Sequence, residues 1–146
     1  GVVDLLSITG VYSEGELWHP ASREAGCDPD FNCWQGGAEN PRPVFTGGLR
    51  TCGGHIHVGD DKVDLIDRRE MACILDRQLV DRLAVREPAN ERRTLYGKPG
   101  SYRPKPYGVE MRGPSNFWLR DEALRTWAFH LAREAIEYGD ARGWEL

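Results

Sequence analysis

Two short segments constrain this chain more than anything else in it: His55-Ile-His-Val58 and Val109-Glu-Met-Arg112 each alternate polar and apolar residues. Residues two apart on a β-strand share a face, so each segment reads as a strand with one apolar side and one chemically loaded side. Gly54 and Gly59 bound the first, and Gly113-Pro114 ends the second. An amphipathic stretch follows each. Between Val63 and Glu87, Ala72, Leu75, Leu79 and Leu83 form one stripe, joined by Met71 and Ile74, with Pro88 as the stop. A second helix is expected from about Asp121 to Tyr138, burying Leu124, Trp127, Ala128, Leu131, Ala135 and Ile136 and ending at Gly139. Residues 19–53 and 88–107 carry the Gly and Pro breakers of loops, and Val2 to Trp18 is apolar without a clean period. The order predicts an α+β fold, an antiparallel sheet covered on one face by helices, as a single domain over residues 1–146.

Composition narrows the class. Five tryptophans and 40% hydrophobic residues supply a core for 146 residues and argue against disorder. No apolar run approaches the roughly 20 residues of a membrane span. A net charge of −4 makes a nucleic-acid coat a poor reading. Cys27, Cys33, Cys52 and Cys73 form neither CxxC pairs nor a dense disulfide framework, so reduced thiols and a cytoplasmic location are expected.

If Ile56, Val58, Val109 and Met111 lie beneath the helices, then His55, His57, Glu110 and Arg112 stand together on the uncovered face. Imidazole and carboxylate bind divalent cations, and a guanidinium offers a planar fork to a carboxylate or phosphate. A carboxylate-rich site favours Mg²⁺ or Mn²⁺, whereas a zinc hydrolase built on His55, His57 and a carboxylate is a competing reading. The second feature is a basic stretch in which Arg92, Arg93, Lys98, Arg103 and Lys105 sit among Tyr96, Tyr102 and Tyr107. One positive loop on an acidic chain matches a single polyphosphate better than a nucleic-acid strand, and Gly97-Lys-Pro-Gly100 has the wrong spacing for a Walker A loop. Asp28 and Asp30 bracket Pro29 in a turn that either presents two carboxylates to a cation or closes as an Asx-turn. Asp60-Asp61 is expected to cap the first helix, and His130 to be solvated. Cys52 beside the His-x-His strand lacks a third group that would orient a Cys–His dyad.

Leu49-Arg-Thr-Cys-Gly-Gly-His-Ile-His-Val-Gly59, together with Tyr102-Arg-Pro-Lys-Pro-Tyr-Gly-Val-Glu-Met-Arg-Gly-Pro-Ser-Asn-Phe-Trp118, resembles the phage-encoded carboxylate–amine ligases. These are distant members of the glutamine synthetase and glutamate–cysteine ligase superfamily. Gly26-Cys-Asp-Pro-Asp-Phe-Asn32 resembles a further block of the same family. The resemblance implies a glutamine-synthetase-like fold and ATP-dependent joining of a small-molecule or peptide carboxylate to an amine, with Mg²⁺ or Mn²⁺ between nucleotide and substrate. It implies His55 and Glu110 as metal ligands, His57 at nucleotide phosphate or substrate, and Arg112 at the transferring phosphoryl group or substrate carboxylate. Arg92, Arg93, Arg103 and Lys98 would neutralise ATP phosphates. The family's upstream carboxylate motif has no counterpart in Asp4, Glu14 and Glu16, and the chain opens on Gly1. The expectation is therefore a C-terminal part of the ligase fold, completed by an N-terminal segment or another subunit, or else a non-catalytic phage module retaining the fold.

Overall fold

The computed structural model describes residues 7–24, 28–45 and 47–146. Seven strands lie within them: β1 (Thr9–Val11), β2 (Phe31–Asn32), β3 (Ala38–Glu39), β4 (Leu49–Thr51), β5 (Ile56–Gly59), β6 (Ser101–Lys105) and β7 (Gly108–Met111). β1 and β4 form a separate antiparallel ribbon, and the others form one antiparallel sheet in the order β3-β2-β6-β7-β5. The expected α+β class holds. The stretch from Val2 to Leu6, and Gly26 and Cys27 of the upstream block, lie outside the described residues.

The register fixes which side chains meet. Ile56 faces Met111, which faces Tyr102, while His57 faces Glu110, which faces Arg103. Val58, Val109, Met111 and Tyr102 enter the core with Ile56 packed beside them, so the polar partners occupy the opposite side.

The segment 88–107 is not one loop. Its second half is β6, a central strand that joins β7 as a hairpin through Pro106 and Tyr107. Pro104 is tolerated there because β2 pairs only with Ser101 and Tyr102, leaving that stretch of β6 unpartnered on one side.

Helix α1 (Arg68–Leu75) starts later than the apolar stripe suggested. Its N-cap is Asp67, whose Oδ1 accepts from Arg69 N at 2.7 Å and Glu70 N at 3.3 Å. Asp60, expected as a cap, instead accepts from Lys62 N at 2.6 Å and from Trp144 Nε1 at 3.1 Å. The helix then widens into a π turn (Asp76–Val80), in which Asp81 N bonds Asp76 O, before α2 (Asp81–Ala84) resumes the regular ladder. Buried Asp76 receives the Trp34 indole N–H at 2.6 Å, while Leu79 and Leu83 enter the core.

Asp121 caps α3 (Glu122–Asp140) by accepting from Leu124 N at 2.9 Å. Gly139 does not end it. The Trp144 ring lies where a Cβ at Gly139 would be, so the glycine serves close packing inside the last turn. α1 lies across β6 and β7, and α3 packs on α1 and the π turn. His130 is exposed, as expected. Cys33, Cys52 and Cys73 are free thiols, and Cys27 lies outside the described residues. Among the described residues no helix is long and apolar enough to cross a membrane.

Candidate active site

The loaded face is built from two residues of β7 and its extension, two of β6, and one just before β5. Glu110 is its centre. It is only 3% exposed, and four side chains point nitrogen at it. His55 Nδ1 lies 2.9 Å and Arg112 Nη1 2.8 Å from Oε1; Lys105 Nζ lies 2.9 Å and Arg103 Nη1 3.3 Å from Oε2. Burial pushes the Glu110 carboxyl up, but the Lys105 hydrogen bond with the charges of Arg103, Arg112 and His55 outweighs it and holds the group at about 2.

Arg112 is 6% exposed and stands between two acids: its Nη1 donates to Glu110, while its Nε lies 3.3 Å from Asp30 Oδ2 as an ion pair without a hydrogen bond. The face expected to stand open is thus closed over its middle. The reason is a long-range contact: Arg103 donates to Asp28 O at 2.6 Å and Pro29 O at 3.2 Å, which draws the 28–30 segment across the sheet. Asp30 therefore serves as a partner of Arg112.

His55 is neutral at ordinary pH. Burial, then the nearby Arg112 charge, lowers it from 6.5 to about 4 against the pull of Glu110. A Cβ at Gly54 would strike Ser115 O and crowd Trp118 Nε1, which donates to Gly54 O at 3.1 Å. Gly54→Ala should therefore cost about 1–3 kcal/mol, read as a lowered urea midpoint, and should displace His55 with it.

The His55 shift also has a sign. Between 6.5 and about 4 the unfolded chain takes up a proton that the folded chain refuses. Its contribution to stability is complete above 6.5 and is lost as pH falls toward 4. Urea midpoints measured across that range should fall in the wild type and flatten in His55→Gln.

The remaining candidates divide. His57 shares the face of Glu110 by register but is exposed on the edge strand, where Nδ1 meets the Tyr107 hydroxyl. Arg92 is buried and donates to the carbonyls of Arg112 and Gly113. Arg93 is held by Glu87 at 3.0 Å and by Gly97 O at 3.0 Å. Lys98 is exposed and borders a small cleft with Asp28 and Arg42. A larger cleft of about 300 Å³ opens beside the cluster, lined by Asp30, Phe45, Arg50, His55, Tyr96 and Arg112, among others. The structure thus gathers His55, Arg103, Glu110 and Arg112, leaves His57 at the rim, and turns Arg93 elsewhere. Lys105, named in the basic stretch but given no role at the site, joins the centre; alternation with Arg103 along β6 is the signal that points to it.

A metal ion at Glu110 does not fit this arrangement. Both carboxylate oxygens are already met by cationic or N–H groups, and Arg103, Lys105 and Arg112 would repel a divalent ion. Among the described residues, no three His, Cys, Asp or Glu side chains are placed to hold one. The surplus of fixed positive charge suits an anion.

The profile of the phage phiEco32-like COOH·NH2 ligases, type 2, matches residues 43–140, more than half of the chain. The chain belongs to that family. The family is described as one of carboxylate–amine ligases. His55, Arg103, Lys105, Glu110 and Arg112 all fall inside the matched span, whereas Asp28 and Asp30 precede it. No curated protein and no solved structure matches the ligase.

Proposed function

We propose that this COOH·NH2 ligase uses ATP to activate a substrate carboxylate as an acyl phosphate and then transfers the acyl group to an amine. The observation that carries the reading is the cluster in which Arg103, Lys105 and Arg112 converge on one buried carboxylate beside a cleft of about 300 Å³. Phosphoryl transfer asks a protein chiefly for positive charge held still where the transferred group grows more negative. The Glu110 carboxylate holds that charge still. In the first step a carboxylate oxygen attacks the γ-phosphorus and the bond to ADP breaks. In the second the amine nitrogen attacks the acyl carbon, phosphate departs, and the nitrogen loses a proton.

Arg112 sits at the mouth between Glu110 and Asp30 and binds the carboxylate or the transferred phosphoryl group. Arg103 and Lys105 add charge from the neighbouring strand, His57 approaches from the rim, and Lys98 contributes charge from the adjoining small cleft. ATP enters as its Mg²⁺ complex, the ion being carried on the phosphates, as is usual for this cation. The antiparallel sheet with helices behind it supports a glutamine-synthetase-like catalytic fold. The cationic ring around Glu110 favours this reading over a zinc hydrolase.

Positional isotope exchange tests it. The full chain is incubated with Mg²⁺ and ATP labelled with ¹⁸O in the β–γ bridge, adding amino acids or dicarboxylic acids but no amine. Scrambling of label that depends on the carboxylate is the expected result. ATP binding without scrambling under any carboxylate would remove the acyl-phosphate step.

A further inference from the structure

Arg92 is only 1% exposed and is the largest fully buried side chain among the described residues. It belongs to the segment just before β6, which was expected to present its arginines to phosphate. Instead its guanidinium turns inward. Nη2 donates to Arg112 O at 3.0 Å and Nη1 to Gly113 O at 2.8 Å, while Nε is buried without a partner. A buried guanidinium with one orphan N–H is costly, and hydrophobic residues of similar volume usually fill such space more cheaply.

The local chain is shaped around this insertion. Asn90 caps the turn by accepting from Arg92 N at 3.0 Å, and Tyr96 N returns to Arg92 O at 2.8 Å. Gly97 lies over the guanidinium with φ of +72°; a Cβ there would run into Arg92 Nη1 and crowd Gly113 O. Arg93 then ties Gly97 O down at 3.0 Å. Both hydrogen bonds of the guanidinium end on the backbone of the residue that carries the site's central fork, or on its neighbour.

We propose that Arg92, seated under Gly97, is a positioning residue that fixes the backbone at Arg112 and thereby aims the Arg112 guanidinium between Glu110 and Asp30. Arg92 and Gly97 border the cleft of about 300 Å³ as well, but with its side chain only 1% exposed Arg92 acts through the backbone of Arg112. Its effect on nucleotide rests on the ligase reading, but its effect on Arg112 does not. A displacement of about 1 Å at a group that contacts the reacting centre can cost about 100-fold in rate, so a rigid seat for Arg112 is worth an expensive burial.

The test uses the ¹⁵N-labelled full chain as wild type, Arg92→Lys and Gly97→Ala. The Arg112 Nε–H resonance, assigned with Arg112→Lys, reports aim; the Trp144 Nε1–H resonance, bonded to Asp60 in another part of the fold, reports folding. Calorimetry with Mg²⁺ and a non-hydrolysable ATP analogue reports the site. In both variants the Arg112 resonance should shift and exchange faster, the Trp144 resonance should stay, and the affinity for the analogue should fall by about 10- to 100-fold. An unmoved Arg112 resonance with unchanged affinity would overturn the proposal. So would loss of the Trp144 resonance in both variants, which would make Arg92 a folding residue. If the wild type fails to bind the analogue while the Arg112 resonance still moves in the variants, the positioning role stands and the ligase reading falls.

Discussion

Arg112→Met is expected to lower the turnover of the ligase by about 100- to 1,000-fold, the range seen when one preorganised donor is removed from a site that stabilises developing negative charge. The size follows from its position. Arg112 faces Glu110 at 2.8 Å and Asp30 at 3.3 Å from different nitrogens of one planar group, so the fork is oriented before any ligand arrives. Arg112→Lys should not restore activity, because a single ammonium cannot span both carboxylates and keep a fixed plane for a third partner. Steady-state release of ADP in the presence of carboxylate and amine gives the measurement. Wild-type turnover in the methionine variant would dissociate Arg112 from the chemistry.

Glu110→Gln should be the most destabilising conservative change on the sheet, costing about 3–5 kcal/mol by chemical denaturation. The amide keeps the shape of the carboxyl but leaves Arg103, Lys105 and Arg112 without the anion they converge on, two of them largely buried. Acid should narrow the difference between wild type and variant. A carboxyl held at about 2, below its ordinary 4.5, contributes stability that is complete above 4.5 and disappears as pH falls through 2. Denaturation midpoints of the two proteins should therefore converge over that interval. A constant gap down to pH 2 would mean that the charge of Glu110 is not what holds the cluster.

The alternation in His55–Val58 and Val109–Arg112 was enough to place four side chains on one face, because a pleated strand leaves them no other choice. What alternation could not convey was depth. Burial of Glu110 and Arg112 comes from Arg103 reaching back to the carbonyls of Asp28 and Pro29, a contact across more than seventy residues with no local signature. β6 was hidden by its own composition, with Pro104 inside it and Pro99-Gly100 ahead of it reading as breakers, although Arg103 and Lys105 keep a strand's spacing. The inward turn of Arg92 was equally opaque, since an arginine among lysines, arginines and glycines carries no mark of burial. Helix ends were legible at Asp121, where an acidic cap precedes an apolar stripe. They were misplaced at Asp60, where Trp144 claims the carboxylate from the far end of the chain.

The π turn between Asp76 and Val80 lets one rod serve two neighbours that a uniform spiral would put out of phase. A single surplus residue advances every later position by about 100°, the angle between successive residues on a helix of 3.6 per turn. At its first residue, Asp76, the turn meets the indole of Trp34, while Leu79 within it and Leu83 beyond it still face inward. Deleting one residue there would swing Leu83 out toward water and carry Arg82, paired with Glu134 at 2.7 Å, off its mark. The widened coil works as a phase adjuster, and the sheet beneath the chemistry inherits its setting.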